Sequence, residues 1–324
     1  MDSLVIGAGQ AGLSASYHLT RRGLAHVVLD ADRAPGGAWQ HRWDSLSMRD
    51  VHGIAALPDA ARPEPPATER ANHAVPAYFA DYEAAHDLPV VRPVDVDTVE
   101  DGTGDEAGLL IVRAGSRRWV TRTLVNATGT WTQPFVPYYP GAADFRGEQL
   151  HTHSYPGAEH FRGRRTVVVG GGASAVQLLG EIAPLTDTIW VTRRPPVWRT
   201  DDFTPEVGRE AVALVEQRVR QGLPPASVVS VTGLALREQE RAAEAVGAYE
   251  RRPMFAGIEP DGVRWPDGDF EPVDVILWST GFRPAIAHLA TLGLRGPRGG
   301  IALDGTTAIA DPRVQLVGYG PSAS

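Results

Sequence analysis

Two stretches of the chain share one order of apolar and polar positions. Residues 3–30, "SLVIGAGQAGLSASYHLTRRGLAHVVLD", open with a short apolar run and then three glycines spaced Gly7, Gly9 and Gly12. A helical pattern comes next, and then the apolar run "AHVVLD". Residues 166–194, "TVVVGGGASAVQLLGEIAPLTDTIWVTRR", repeat that order. An unbroken apolar run of four or five residues predicts a buried strand, and the 3.6-residue period behind it predicts an amphipathic helix. Each stretch therefore predicts a strand–glycine loop–helix–strand unit of a parallel sheet. Pro184 marks the end of the second helix.

Elsewhere the pattern is weaker. Residues 58–70 are rich in proline and charge and predict a loop. A helix is expected over 73–86, with Asn72 as its cap and Pro76 in its first turn. "VVRPVDVDTVED" and "LLIVRAG" predict strands of a small antiparallel excursion. Two apolar strands run into Thr-Gly, "TLVNATGTW" (123–131) and "DVILWSTGFRP" (274–284), one behind each glycine loop. A glycine there lets the chain pass close to a bound group. Amphipathic helices are expected over 204–222 and 235–246, their apolar positions reading as packing rather than a binding groove. A last strand, with Val314, Leu316 and Val317, leads to Gly318-Tyr319-Gly320.

Composition narrows the chemistry. The 324 residues suffice for about two domains. A net charge of −8 argues against general nucleic-acid binding, which needs a basic footprint. No apolar run reaches the roughly 18 residues of a membrane span. A strand begins within three residues of Met1, so no leader peptide is expected, and the expected location is cytoplasmic. Cysteine is absent, which excludes disulfides, thiolate metal sites and an internal redox dithiol.

The glycines carry the candidate chemistry. In Gly7-Ala8-Gly9-Gln10-Ala11-Gly12, the first glycine makes a tight turn and the second admits a pyrophosphate. The third packs helix on strand. Asp30, 18 residues past Gly12, stands where a carboxylate accepts ribose hydroxyls. The competing reading is a glycine-rich turn with no nucleotide. "GGAWQHRW" comes after it, and its Gly37, Ala38 and Trp39 either close over a dinucleotide or form a loop around a core tryptophan.

The second loop, Gly170-x-Gly172-x-x-Ala175, fits the looser form of the motif, and Ser174 is suited to a phosphate. Its second strand ends in Arg193-Arg194 instead of an acid. Guanidinium groups can grip a 2′-phosphate that a carboxylate would repel. The pair predicts NADPH over NADH, unless both arginines are solvated surface charge. The two cradles should hold different dinucleotides, FAD in the acid-ended one and NADPH in the base-ended one. Between them lies "FRGEQLHTHSYP" (145–156), spaced F-x-G-x-x-x-H-x-x-x-Y. Its His-x-His pair lacks a carboxylate cluster, so no metal site is expected. His151 reads as fixing a connection between domains.

In this order, GAGQAG, GGAW, F-x-G-x-x-x-H-x-x-x-Y, GGGASA, the two Thr-Gly passages and the final GYG span residues 4–320. The set resembles the class B flavoprotein monooxygenases: flavin-containing monooxygenases, Baeyer–Villiger monooxygenases and their small bacterial relatives. The resemblance implies an α/β fold of two Rossmann-like domains, the NADPH domain (156–274) inserted into an FAD domain (1–155 and 275–324). It implies FAD at Gly7, Gly9, Gln10, Gly12, Asp30, Gly37, Ala38 and Trp39, with Thr128, Gly129 and Gly318 beside the cofactors. NADPH would take Gly170, Gly172, Ser174, Arg193 and Arg194, and His151 would sit in the linker.

The implied reaction passes a hydride from NADPH to FAD. Dioxygen then forms a flavin C4a-(hydro)peroxide that oxygenates a small molecule. Tyr155 stands where the Baeyer–Villiger signature has tryptophan, which favours heteroatom oxidation. The loop "WDSLSMRDVHG" (43–53) should lie over the flavin, making Arg49, Asp50 and His52 the polar groups to test. An ordinary salt-bridged loop is the competing reading there. A flavin reductase and a non-catalytic redox sensor fit the same motifs. The expected partners are a small substrate and dioxygen, with neither nucleic acid nor membrane. A homodimer is compatible with the sequence.

Overall fold

The computed structural model describes all residues except 52–53, 200–204, 226–232, 235, 237–239 and 321–324, and no side chains over 205–211. From the N-terminus run β1 (Ser3–Ile6), α1 (Gln10–Arg21), β2 (His26–Leu29), α2 (Ala71–Ala85), β3 (Val90–Val91) and β4 (Thr98–Asp101). Then come β5 (Leu110–Ala114), β6 (Arg117–Thr121), β7 (Thr123–Asn126), β8 (Glu148–His151), β9 (Thr166–Val169), α3 (Ala173–Ile182) and β10 (Thr188–Val191). Next are α4 (Pro205–Arg220), α5 (Arg241–Ala245), β11 (Arg251–Arg252), β12 (Gly257–Glu259), β13 (Gly262–Arg264) and β14 (Phe270–Pro272). The chain closes with β15 (Val275–Trp278), β16 (Leu303–Asp304), β17 (Thr307–Ala308) and β18 (Val314–Leu316). Among the described residues no helix is long and apolar enough to cross a membrane.

The chain divides into two compact units. One comprises Met1–Trp131, Arg209–Val228 and Pro284–Ser324, the other Thr132–Gly208 and Val229–Arg283. The sequence expectation drew its boundaries at 155/156 and 274/275, whereas these units break at 131/132, 208/209, 228/229 and 283/284.

The first unit is built on a seven-stranded sheet in the order β16-β17-β18-β7-β1-β2-β3. Its five strands from β18 to β3 are parallel, and β16–β17 form an antiparallel hairpin at one edge. Successive side chains of a strand face opposite ways. Leu4 and Ile6 therefore enter one core with Leu29, Leu124 and Leu316, beneath the antiparallel β4-β5-β6 sheet. Val5, Val28 and Val125 enter the other, against Leu13 and Tyr17 of α1 and Phe79 and Tyr82 of α2. Both faces are covered, which is why β1 reads as an unbroken apolar run. Each fully buried leucine stabilises by roughly 1.5–3 kcal/mol.

The second unit repeats the plan in five parallel strands, order β11-β10-β9-β15-β8. Val167, Val169, Val191, Ile276 and Trp278 pack against Phe255, Val263 and Trp265 around the antiparallel β12-β13-β14 sheet. On α3, Val176, Leu178, Leu179 and Ile182 are buried.

One expectation needs correction. The helix expected over 73–86 begins at Ala71 behind an Arg70 cap that makes no side-chain bond. Asn72 therefore lies inside it and donates to the Arg42 carbonyl (3.1 Å) and Asp44 (2.8 Å). A side chain with distant partners was read as a local cap. Of the span 235–246, residues 235 and 237–239 lie outside the described residues, and Arg241–Ala245 is helical.

Candidate functional site

In each unit the central strand has its following strand on one side and a much later strand on the other: β2-β1-β7 and β10-β9-β15. The sheet order reverses beside β1 and β9. Ligands of open parallel sheets lie at such a point, outside the carboxyl ends of the strands. Both glycine loops leave the sheet there.

The first loop shows why glycine is needed, and where it is not. A Cβ on Gly7 (φ +97°) would sit 2.6 Å from the Ala127 carbonyl oxygen at the end of β7. A Cβ on Gly12 would lie 1.9 Å from the Gly7 carbonyl oxygen. Those glycines are demanded by the protein's own packing. Gly9 is not: it caps α1 with extended backbone, φ −78°, and a Cβ there would meet nothing within 4 Å. The missing side chain leaves open space beside unpaired N–H groups at a helix start, which fits an approaching phosphate. Gly37 closes over the loop, its Cβ position 2.9 Å from the Gly9 Cα. Ala38 and Trp39 lie in the 3-10 turn that Gly37 begins. Gln10 donates to the Ala55 carbonyl (3.2 Å), and Trp43 is buried.

Asp30 is only 4% exposed. One carboxylate oxygen accepts from Ala8 N–H (2.6 Å) and the other from Asp32 N–H (2.8 Å), with Arg92 3.8 Å away. Burial raises its pKa, against the opposing pull of those bonds and of Arg92. The carboxylate thus shapes the loop, leaving its remaining lone pairs for a ligand. Asp32 in turn accepts from Gln40 and bonds His41.

The second loop has the same logic. A Cβ on Gly170 would lie 2.1 Å from the Ser279 carbonyl oxygen at the end of β15. Gly172 caps α3, and its Cβ position again meets nothing within 4 Å. Ser174 stands in the first turn of that helix. Arg193 and Arg194, past the end of β10, are exposed and pair with no carboxylate among the described residues. Sequence reasoning missed Arg251, on neighbouring β11, whose guanidinium reaches the Thr192 carbonyl (3.3 Å). The doublet Arg251-Arg252, echoing Arg193-Arg194, was the available signal. Arg252 is already engaged by Glu271 (2.9 Å).

Each Thr-Gly passage is pinned. Thr128 donates to the Ala285 carbonyl (2.6 Å) and accepts from Asn126, whose side-chain oxygen bonds His288 Nε2 (2.6 Å). Gly129 accepts from Ala285 N–H (2.9 Å). In the other unit Thr280 donates to the Phe135 carbonyl. His151 bonds the Gly281 carbonyl through Nε2 (3.0 Å) and accepts from His153 N–H through Nδ1 (3.0 Å). Those two bonds fix the tautomer with the proton on Nε2 and engage both ring nitrogens within the protein. Burial lowers the pKa of both imidazoles, His288 to about 4. Gly318 lies just past β18, its Cβ position 3.7 Å from Ala11.

The loop expected over the flavin is less developed. Asp50 accepts from Ser47 Oγ (2.5 Å) and closes a turn with Asp50 N–H on the Ser47 carbonyl (2.9 Å). Arg49 is exposed, and His52 lies outside the described residues. Among the described residues no cluster suits a metal ion.

Residues 4–232 match the family model for pyridine nucleotide-disulphide oxidoreductases. A flavin-containing monooxygenase from Stenotrophomonas maltophilia superposes with a TM-score of 0.84 at 37% identity, over 98% of this chain and 90% of that one. A Baeyer–Villiger monooxygenase from Streptomyces coelicolor is 28% identical over 338 residues, 97% of this chain and 63% of its own length. An indole-3-pyruvate monooxygenase, YUCCA1, from Oryza sativa subsp. japonica is 34% identical over 179 residues, 54% of this chain and 43% of its own. The family model's name includes a disulphide, but this chain has no cysteine to form one. The motif-based resemblance to class B flavoprotein monooxygenases therefore stands: the chain belongs to the pyridine nucleotide-disulphide oxidoreductase family and, within it, is an oxidoreductase of the flavin-containing monooxygenase kind.

Proposed function

We propose that the protein uses NADPH and dioxygen to insert one oxygen atom into a small molecule at a soft heteroatom, releasing NADP⁺ and water. The first unit takes FAD, with Gly7, Gly9, Gln10, Gly12, Asp30, Gly37, Ala38, Trp39, Thr128, Gly129 and Gly318 around it. The second takes NADPH, with Gly170, Gly172 and Ser174 at the pyrophosphate and Arg193 and Arg194 at the 2′-phosphate. Bound FAD supplies two-electron transfer from NADPH and the activation of dioxygen. The residues bind, orient and keep the cofactors apart from bulk water.

The observation that carries the reading is the pair Gly9 and Gly172. Each is a helix cap whose missing Cβ serves no contact within the protein. Arg193 and Arg194, exposed and without a carboxylate partner among the described residues, support NADPH over NADH. The heteroatom preference rests only on Tyr155 standing where the Baeyer–Villiger signature has tryptophan, closer to the flavin-containing pattern; the side chain is buried, stacks on Phe161 and donates to Glu181 of α3 (3.0 Å).

The test uses FAD-loaded protein. NADPH should bleach the flavin absorbance anaerobically, much faster than NADH does. In air, an aryl methyl sulfide should yield sulfoxide in step with NADPH consumption, ahead of any ester from a cyclic ketone. Ester forming faster would reverse the preference. NADPH consumption that yields only hydrogen peroxide would make the protein a reductase.

A further inference from the structure

Arg42 is a partly buried charge of the first unit. It ends the 3-10 turn Gly37–His41, its N–H on the Trp39 carbonyl (3.1 Å). Its guanidinium carbon lies 4.3 Å from the Trp131 ring centroid and 5.4 Å from that of Trp39. Its Nε is buried with no hydrogen-bond partner, and no carboxylate pairs with it among the described residues. The acids nearby in sequence are taken. Asp32 serves Gln40 and His41, and Asp44 serves Arg70 and Asn72. Indole faces attract a cation but satisfy none of its N–H donors in the plane of the fork. Burial lowers its pKa to about 10, so the charge persists at neutral pH.

Its position gives the charge a purpose. Trp39 lies on the loop that leaves β2, and Trp131 just past Thr128-Gly129 at the end of β7. Both loops emerge from carboxyl ends of strands that flank β1 in the parallel sheet, and Gly37, which opens the turn, packs on Gly9. An unpaired guanidinium thus stands on the ligand-bearing edge of the sheet.

We propose that Arg42 is the cation of the first cradle, directed at negative charge on the bound flavin dinucleotide, either its pyrophosphate or the anionic reduced ring. The proposal rests on the FAD reading of that unit. It assigns the acid-ended cradle a partly buried positive group, distinct from the exposed arginines of the other.

The experiment compares wild type, Arg42→Gln and Arg42→Lys as full chains. FAD and riboflavin are titrated into apo-protein, and the midpoint potential of bound FAD is measured. Arg42→Gln should weaken FAD about tenfold with riboflavin unchanged if the charge meets the pyrophosphate. If it meets the reduced ring, reduced FAD should lose about tenfold in affinity relative to oxidised FAD, a fall of about 30 mV. Arg42→Lys should recover part of either loss and keeps the test open if the glutamine variant does not fold. The proposal is overturned if a folded Arg42→Gln matches wild type in both measurements, or if lysine is as impaired as glutamine. A wild type that binds no FAD would instead defeat the functional reading itself.

Discussion

The two glycine loops are alike in backbone and opposite in charge. Both place a first glycine against a neighbouring strand's carbonyl oxygen, and both leave open space at the second. They differ at the end of the next strand, β2 in one unit and β10 in the other. Asp30 is buried and bonded to Ala8 and Asp32 N–H groups, whereas Arg193 and Arg194 are exposed and pair with no carboxylate among the described residues. A buried acid that bonds its own loop preorganises a shape. Exposed guanidinium groups with no carboxylate partner among the described residues keep their charge available to solvent or to a ligand. Under the proposed function, the shared part would position a dinucleotide and the differing part would select which one.

The sharpest way to break the shared part is Gly12→Ala. Its Cβ would lie 1.9 Å from main-chain oxygen, which no rotamer can relieve. We expect a loss of roughly 3 kcal/mol or more, read as a lowered melting temperature of apo-protein. Gly9→Ala and Gly172→Ala should leave that melting temperature nearly unchanged. The first should abolish FAD binding alone and the second NADPH binding alone. Equal damage to both cofactors by either variant would deny that the loops are separate sites.

The difference in charge is tested next. Replacing Arg193 and Arg194 together by serine should cut the preference for NADP⁺ over NAD⁺, measured as a ratio of dissociation constants, about 10- to 100-fold. FAD affinity should not move. An unchanged ratio would shift attention to Arg251.

The smallest expected effect concerns the Thr-Gly pins. The pKa of His288 in the folded chain is about 4, below its ordinary 6.5. The unfolded chain therefore takes up a proton first as pH falls. Stability from this group is full above pH 6.5 and is lost on descending to about 4, by at most about 3 kcal/mol and less with solvent screening. His151 acts in the same direction. Urea unfolding at stepped pH should show the slope, and His288→Gln should flatten part of it. An unaltered slope would remove His288 as its source.

Much of this was legible in the sequence for a physical reason. Gly7, Gly12 and Gly170 sit where only glycine fits, so they stand out as letters, and the apolar runs of β1 and β9 announce sheets covered on both faces. His288 was not legible. Its partner Asn126 is 162 positions away, and only the fold joins them. Arg42 stands out only in the fold, where two indoles flank it and no carboxylate among the described residues pairs with it. Asn72 misled because a cap residue before a helix pattern is a local signal, and its real partners come from residues 42 and 44.

The contact between first glycine and neighbouring strand has one more consequence. What Gly7 and Gly170 touch is a carbonyl oxygen, of Ala127 in one unit and Ser279 in the other. Every amino acid carries that oxygen, so the receiving position can change its side chain without disturbing the fit, while the glycine cannot change at all. One half of the joint is rigidly spelled and the other is free, so Ala-Thr-Gly and Ser-Thr-Gly serve the same purpose within a single polypeptide.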